Sequence, residues 1–413
     1  MVVRINGDRL NASLQELAGI GATPAGGVTR LAVSDEDREG RNQIREWFER
    51  AGLVVTIDDF GNMVGTRTGA VDLPPVIMAS HCDTVIRGGK FDGVLGVVGA
   101  LEVIRTLNDL GIATEKPLAV VNWTNEEGVR FEPAMQCSGV LAGRFTKDEV
   151  YNRTDRNGLR FEDELRRIGY LGDAACRPLP ASGYLELHIE QGPVLEAEGI
   201  PVGIVSGIVG ITWIDVTVTG QSDHAGPSPM HLRRDALAAA ALIIAGVERI
   251  AKGRDEIAVA TVGRLSLEPN IINTIPGKVT FSVDFRHPDP AVLEDQVDLF
   301  QQLIDRIAAE RNVEIVADRF WTSEPTPFDP TIVSAISAAV DELGLPQCSL
   351  WSGAGHDAKY LADVCPSGMI FVRSQGGLSH CEAESSTAED IEAGGNVLLL
   401  AALTLAGIVD KET

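Results

Sequence analysis

Short runs of almost unbroken apolar residues, each followed by a longer stretch with helical spacing, set the tightest limit on how this chain folds. Val76–Ala79 and Leu118–Trp123 are such runs, and they alternate with the helix-like segments Asp35–Ala51 and Val94–Leu110. Strands that lack polar alternation are covered on both faces. The rhythm therefore predicts an α/β layer, a mixed, mainly parallel sheet covered by helices.

From Ile211 the period changes. The order becomes strand ITWIDVTVT, helix Met230–Lys252, strand IAVATVGRLS, strand KVTFSVDFR, helix Ala291–Arg311 and strand VEIVADRFW. This is βαββαβ, a ferredoxin-like α+β unit. After the proline-rich EPTPFDP the first pattern returns, with helix Thr331–Leu343, strand Gly368–Val372 and a last apolar helix. One domain is expected over residues 1–209 and 325–413, with a second, over 210–324, inserted in it.

Fifty-nine acidic against 35 basic residues give a formal charge of -24, so nucleic acid and anionic membranes are not expected partners. The apolar runs Ala236–Val247 and Val397–Val409 are shorter than the roughly 20 residues of a spanning helix. The opening MVVRINGDRL has no signal-peptide core, and a cytoplasmic location is expected. Six scattered cysteines without a CxxC pair read as reduced thiols.

The chemistry gathers at strand ends, where open α/β sheets bind ligands. In HCDTVIRGGKFDGVLG, His81 and Asp83 share one strand face while Cys82 points away into packing. Asp83 can orient a metal-binding imidazole, and Gly88, Gly89 and Gly93 let the chain bring Asp92 back to the same spot. The plainer alternative is that Asp92 caps the following helix. In TNEEGVRF, Glu126 and Glu127 are adjacent acids that repel unless a cation lies between them. YLELHIEQGP sets Glu186, His188 and Glu190 on one strand face, which is also the pattern of a half-solvated strand. His380 follows two glycines in SQGGLSHCEAE. Together His81, Asp92, Glu127, His188 and His380 form a nitrogen and oxygen ligand set without thiolate, suited to two divalent ions and an activated water.

With GQSDHAGPSPMHLRRDA, PNIINTIPG, DFRHP and SGAGHDA, these motifs resemble the M20-type metallohydrolases, in the amidase branch of N-carbamoyl-L-amino acid hydrolases. The resemblance covers almost the whole chain. It implies that Asp92 bridges two ions, His81 and His188 completing one site, Glu127 and His380 the other. Glu126 then acts as general base and Asp83 holds His81. In the inserted, lid and dimerisation domain, His224 is implied to stabilise an oxyanion, in a family that is often dimeric; an ordinary polar turn is the alternative at Ser222–His224. Arg286 suits a substrate carboxylate, because a guanidinium donates two parallel hydrogen bonds. Gln191, Asn273, Asn270 and the backbone around Gly353–Gly355, Gly355 included, match further substrate contacts. His356 and Asp357 are assigned to shaping the pocket, and His231 and His287 to the surface or turns.

The implied protein is a homodimeric amidohydrolase with two divalent ions per subunit, Zn²⁺ foremost and Mn²⁺, Co²⁺ or Ni²⁺ as alternatives. It removes the carbamoyl group from a small N-carbamoyl-L-amino acid to give the amino acid, ammonia and carbon dioxide. Allantoate amidohydrolase and β-ureidopropionase share nearly all of these motifs. A catalytically inactive binding homologue is the alternative of another class, against which an intact Glu126 and five ligands argue. A purely structural scaffold gains nothing from desolvated acids and imidazoles at strand ends.

Overall fold

Four parallel strands, Leu118–Trp123, Val76–His81, Gly183–Ile189 and Ser367–Val372, lie side by side in that order in the computed structural model, which describes residues 2–409. Every residue of the four is buried, as the lack of polar alternation in Leu118–Trp123, Val76–His81 and Ser367–Val372 requires. The flanks run the other way. Met63–Arg67 pairs antiparallel with Leu118–Trp123, Val54–Ile57 antiparallel with Met63–Arg67, and Val202–Ile208 antiparallel with Ser367–Val372. Helices Val94–Asp109, Pro330–Glu342 and Ala388–Ala406 pack on this sheet. Their apolar faces join the strands in one core that includes Leu95, Val98, Leu185, Leu187, Ile336, Ile370 and Leu399.

In this sheet two details differ from the sequence reading. The strand at Val76 runs on through Ser80 to His81, because its ladder with Leu118–Trp123 continues to the pair His81 and Trp123. The segment around His188 is not half-solvated; all seven residues of Gly183–Ile189 are buried. Glu186 is accommodated there by hydrogen bonds from Ser80 Oγ (3.0 Å), Tyr184 Oη (3.0 Å) and the Ala358 amide (3.1 Å).

The chain divides into two compact units, Met1–Gly207 with Pro327–Thr413, and Ile208–Thr326. In the second, Leu265–Glu268, Lys278–His287, Gly210–Thr219 and Glu314–Ser323 form an antiparallel sheet in that order, and Val259–Thr261 also pairs with Lys278–His287. Alternation is clean: Ile214, Val216, Val218, Val279, Phe281, Val283 and Phe285 point into a core shared with helices Ala236–Lys252 and Pro290–Arg311. The first of these helices begins six residues later than its apolar pattern predicts. Asp235 caps it by accepting from the Ala238 amide, and Met230–Leu232 forms a separate single turn. The expected strand IAVATVGRLS is interrupted, so that Val259–Thr261 and Leu265–Glu268 pair separately with the neighbouring strand. His287, expected at the surface or in a turn, is only 4% exposed; its Nδ1 accepts from the Asp289 amide and its Nε2 faces Asp255 Oδ2 at 3.0 Å. No helix among the described residues is long and apolar enough to cross a membrane.

Candidate metal centre

His81 ends one central strand, and its Nδ1 donates to the Asp83 carbonyl oxygen at 2.9 Å. That hydrogen bond fixes the tautomer and leaves Nε2 as the outward donor atom. The sequence reading gave this orienting task to the Asp83 carboxylate. In the structure its Oδ1 is 3.8 Å from the ring, and its two oxygens accept instead from the Glu126 and Glu127 amides, each at 3.3 Å. Cys82 points away, as expected: its Sγ is buried 3.4 Å from Asp37 Oδ1 and accepts from Asn122 Nδ2.

The turn from His81 to the helix at Val94 needs a glycine at its end. Gly93 has φ +65°, and a Cβ there would stand 2.3 Å from the His81 ring. Asp92 consequently sits against both imidazoles of the neighbouring strands. Its Oδ1 is 3.6 Å from His81 Nε2 and 3.2 Å from His188 Nε2, and its Oδ2 is 3.5 Å from His380 Nε2. His188 is held like His81, with Nδ1 donating to the Ile189 carbonyl at 2.9 Å; its Nε2 accepts from the Gly93 amide at 3.1 Å.

At the end of strand Leu118–Trp123, Asn125 takes the left-handed conformation (φ +57°) and donates to the Phe131 carbonyl at 2.7 Å. The turn that follows carries both glutamates into the cluster. Glu127 Oε2 is 3.4 Å from His380 Nε2, and Glu126 Oε2 is 3.4 Å from His81 Nε2. Two donor groups result, His81, Asp92 and His188, and Asp92, Glu127 and His380, each with ligand atoms mutually within 4.8 Å. Asp92 belongs to both.

Burial and like charge strain this cluster without a cation. Burial, then the neighbouring Asp357 and Glu127, holds the Glu126 carboxyl well above the usual carboxylate range; burial, then Asp92, does the same to Glu127. Burial brings His81 down to about 4. His188 is drawn the opposite way: burial disfavours its cation, but Asp92 beside it prevails and raises it to about 9. Glu127 Oε1 is buried with no hydrogen-bond partner among the described residues. An oxygen in that state, among imidazole nitrogens and carboxylates, fits divalent cations, which accept such mixed donors.

The remaining sequence candidates fall in several places. Gln191 (φ +57°) reaches the cluster itself, its Nε2 donating to Asp92 Oδ2 at 2.7 Å. Gly355 lies on the loop before His356, whose ring packs 4.5 Å from that of His188 and whose Nε2 faces Ser352 Oγ; His356 is in neither donor group. His224, Asn273 and Arg286 belong to the second unit. His224 and Thr274 face each other across a two-stranded ribbon, and the Asn273 carbonyl accepts from the Ala225 amide, so these two candidates are neighbours. Arg286 is held by Asp284 through Nε and Nη2, the latter 2.7 Å from Oδ2.

Two residues that touch the cluster were not singled out from the sequence, Ser379 and Glu384. Ser379 Oγ is 2.8 Å from Asp92 Oδ2 and 2.9 Å from Glu384 Oε2. The available signal was an acid four residues beyond His380 in a loop otherwise rich in small residues.

A family model for peptidase family M20/M25/M40 matches residues 77–404. The chain is 45% identical over 408 residues to an N-carbamoyl-L-amino-acid amidohydrolase of Rhizobium meliloti, covering 98% of each chain. It is 42% identical to an N-carbamoyl-L-amino acid amidohydrolase of Geobacillus stearothermophilus, covering 95% of this chain and 97% of the relative. A crystal structure of an amidase of the hydantoinase/carbamoylase family from Burkholderia multivorans superposes with a TM-score of 0.96 at 49% identity, over 98% of both chains.

Proposed function

The chain belongs to peptidase family M20/M25/M40, and we propose that it is a metal-dependent amidohydrolase that removes the carbamoyl group from an N-carbamoyl-L-amino acid. The observation that carries this reading is the pair of donor groups sharing Asp92, with Glu126 unshared beside them. Full-length likeness to N-carbamoyl-L-amino-acid amidohydrolases supports the substrate class.

In this reading His81 and His188 would hold one divalent ion and Glu127 and His380 a second, with Asp92 serving both. Bound ions supply a water of lowered pKa and a polarised carbonyl, which a ureido carbon flanked by two nitrogens requires. Glu126 takes a proton from the attacking water at Oε2 and returns it to the departing nitrogen. Asp83 fixes the backbone of both glutamates, so that one carboxylate faces the ion and its neighbour the proton path. Arg286 and Asn273 bind the substrate carboxylate, His224 the developing oxyanion, and Gln191 and the Gly355 backbone orient the ureido group. The inserted unit serves as lid and dimerisation surface, and Zn²⁺ is the proposed ion.

The test is a substrate panel of N-carbamoyl-L- and D-amino acids, N-carbamoyl-β-alanine, allantoate and N-acetyl amino acids, read by ammonia release and amine formation after loading with each divalent metal. The expected preference is for N-carbamoyl-L-amino acids. A preference for allantoate, or turnover of N-acetyl amino acids alone, overturns the substrate assignment.

A further inference from the structure

Glu384 lies in the loop after strand Ser367–Val372, outside both donor groups and only 3% exposed. One oxygen accepts from two consecutive amides, Phe91 at 3.0 Å and Asp92 at 3.1 Å. The other accepts from Ser379 Oγ at 2.9 Å. The glycine-rich turn is open where this carboxylate enters: a Cβ on Gly89 would stand 1.9 Å from Glu384 Cδ. Glu384 thus joins two segments nearly 300 residues apart, the turn that presents Asp92 and the loop that presents His380.

The two donor groups differ in what holds them. His81 and His188 stand on fully buried central strands, so packing fixes them. His380 is on a loop, its side chain 52% exposed and its backbone at φ +55°, a conformation that persists only where the surroundings enforce it. Ser379 and Glu384 bracket it in sequence, and both are tied to Asp92.

We propose that Glu384 is a positioning residue for the Asp92, Glu127 and His380 group, clamping the His380 loop to the Asp92 backbone so that this group, and not the His81 and His188 group, depends on it. The inference rests on the metal reading above. It also specifies which chemistry the clamp needs. The Ser379 hydroxyl has one proton and two carboxylates in reach. A glutamine at 384 keeps an oxygen for the two amides and offers an N–H to Ser379, leaving the hydroxyl proton for Asp92. Charge at 384 is therefore dispensable and length is not.

The experiment titrates the chelator-treated full-length chain with Co²⁺, following heat and the Co²⁺ absorption bands, for wild type, Glu384→Ala, Glu384→Gln, Ser379→Ala and His380→Ala. Wild type is expected to take two ions in resolvable steps. Glu384→Ala should bind its first ion within about threefold of wild type and its second about 10-fold to 100-fold more weakly, as outer partners of ligands do. Glu384→Gln should restore the second step to within a few-fold, and Ser379→Ala should weaken that step alone, which keeps the test intact if the alanine at 384 does not fold. A Glu384→Ala protein that titrates like wild type overturns the clamp, as does equal loss of both steps or a glutamine no better than alanine. A wild-type chain that takes no ion overturns the metal reading, and the clamp with it.

Discussion

Glu126 Oε2 stands 3.4 Å from Nε2 of His81, across the ends of two adjacent parallel strands. In the proposed reading, a carboxylate this close to an imidazole nitrogen of one donor group, yet in neither group, is the proton acceptor. Replacing it with glutamine keeps the shape and removes the base. Glu126→Gln is expected to retain its metal content by elemental analysis and to lose about 100-fold to 10,000-fold in kcat. Full activity in this variant removes Glu126 from the mechanism.

Asp92 is the one residue common to both groups, so Asp92→Ala should bind neither ion tightly, whereas His380→Ala should keep one. Metal counts per chain after gel filtration distinguish these outcomes. Equal retention in both variants contradicts a shared carboxylate.

Arg286 is held in a forked contact by Asp284, and in the proposed reading its guanidinium binds the substrate carboxylate. Arg286→Ala should raise KM for N-carbamoyl amino acids about 10-fold to 100-fold, the equivalent of ~1.5–3 kcal/mol for a hydrogen bond to a charged group, with a smaller effect on kcat. An unchanged KM takes Arg286 out of the substrate site.

Chelation should expose a pH dependence of stability. Glu126 and Glu127 are held above their unfolded value of 4.5, so the folded chain binds more protons than the unfolded one as pH rises from there. Stability of the chelated protein falls across that window, because the unfolded state ionises first. Divalent ions remove the penalty. Thermal melts from pH 4.5 upward, with chelator and with Zn²⁺, should diverge, and a Glu126→Gln and Glu127→Gln double variant should flatten the chelated curve.

Gly93→Ala asks for a Cβ where the His81 ring already lies, at a positive φ. We expect a loss of ~2 kcal/mol or more, read as a lower melting temperature, together with a loss of metal. A fully loaded, equally stable variant means that the turn can move without cost.

Three of the four central strands were legible because unbroken apolar runs have few other uses, and part of the chemistry was legible because His81, Glu126 and Glu127 sit at or just beyond the ends of such runs, with His380 in the loop after another. Other features escaped a linear reading. Burial of Glu186 depends on donors from Ser80, Tyr184 and Ala358, which no local pattern announces. The start of the helix at Ala236 is set by the Asp235 cap, while the apolar pattern runs on upstream to Met230. The role of Asp83 turned on a choice between its carbonyl and its carboxylate, two atoms the sequence does not separate. Ser379 and Glu384 act on residues about 290 positions away, and single letters in a loop carry no such address.

The donor atoms are spread from position 81 to position 380, and the strand before His380 joins the sheet beside Gly183–Ile189. A ribosome-bound chain that has emerged only through the inserted unit already owns His81, Asp92, Glu127 and His188, but not the fourth parallel strand or its histidine. In the proposed reading, hydrolytic competence therefore waits until the segment from Pro327 onward folds back onto the segment that precedes the inserted unit.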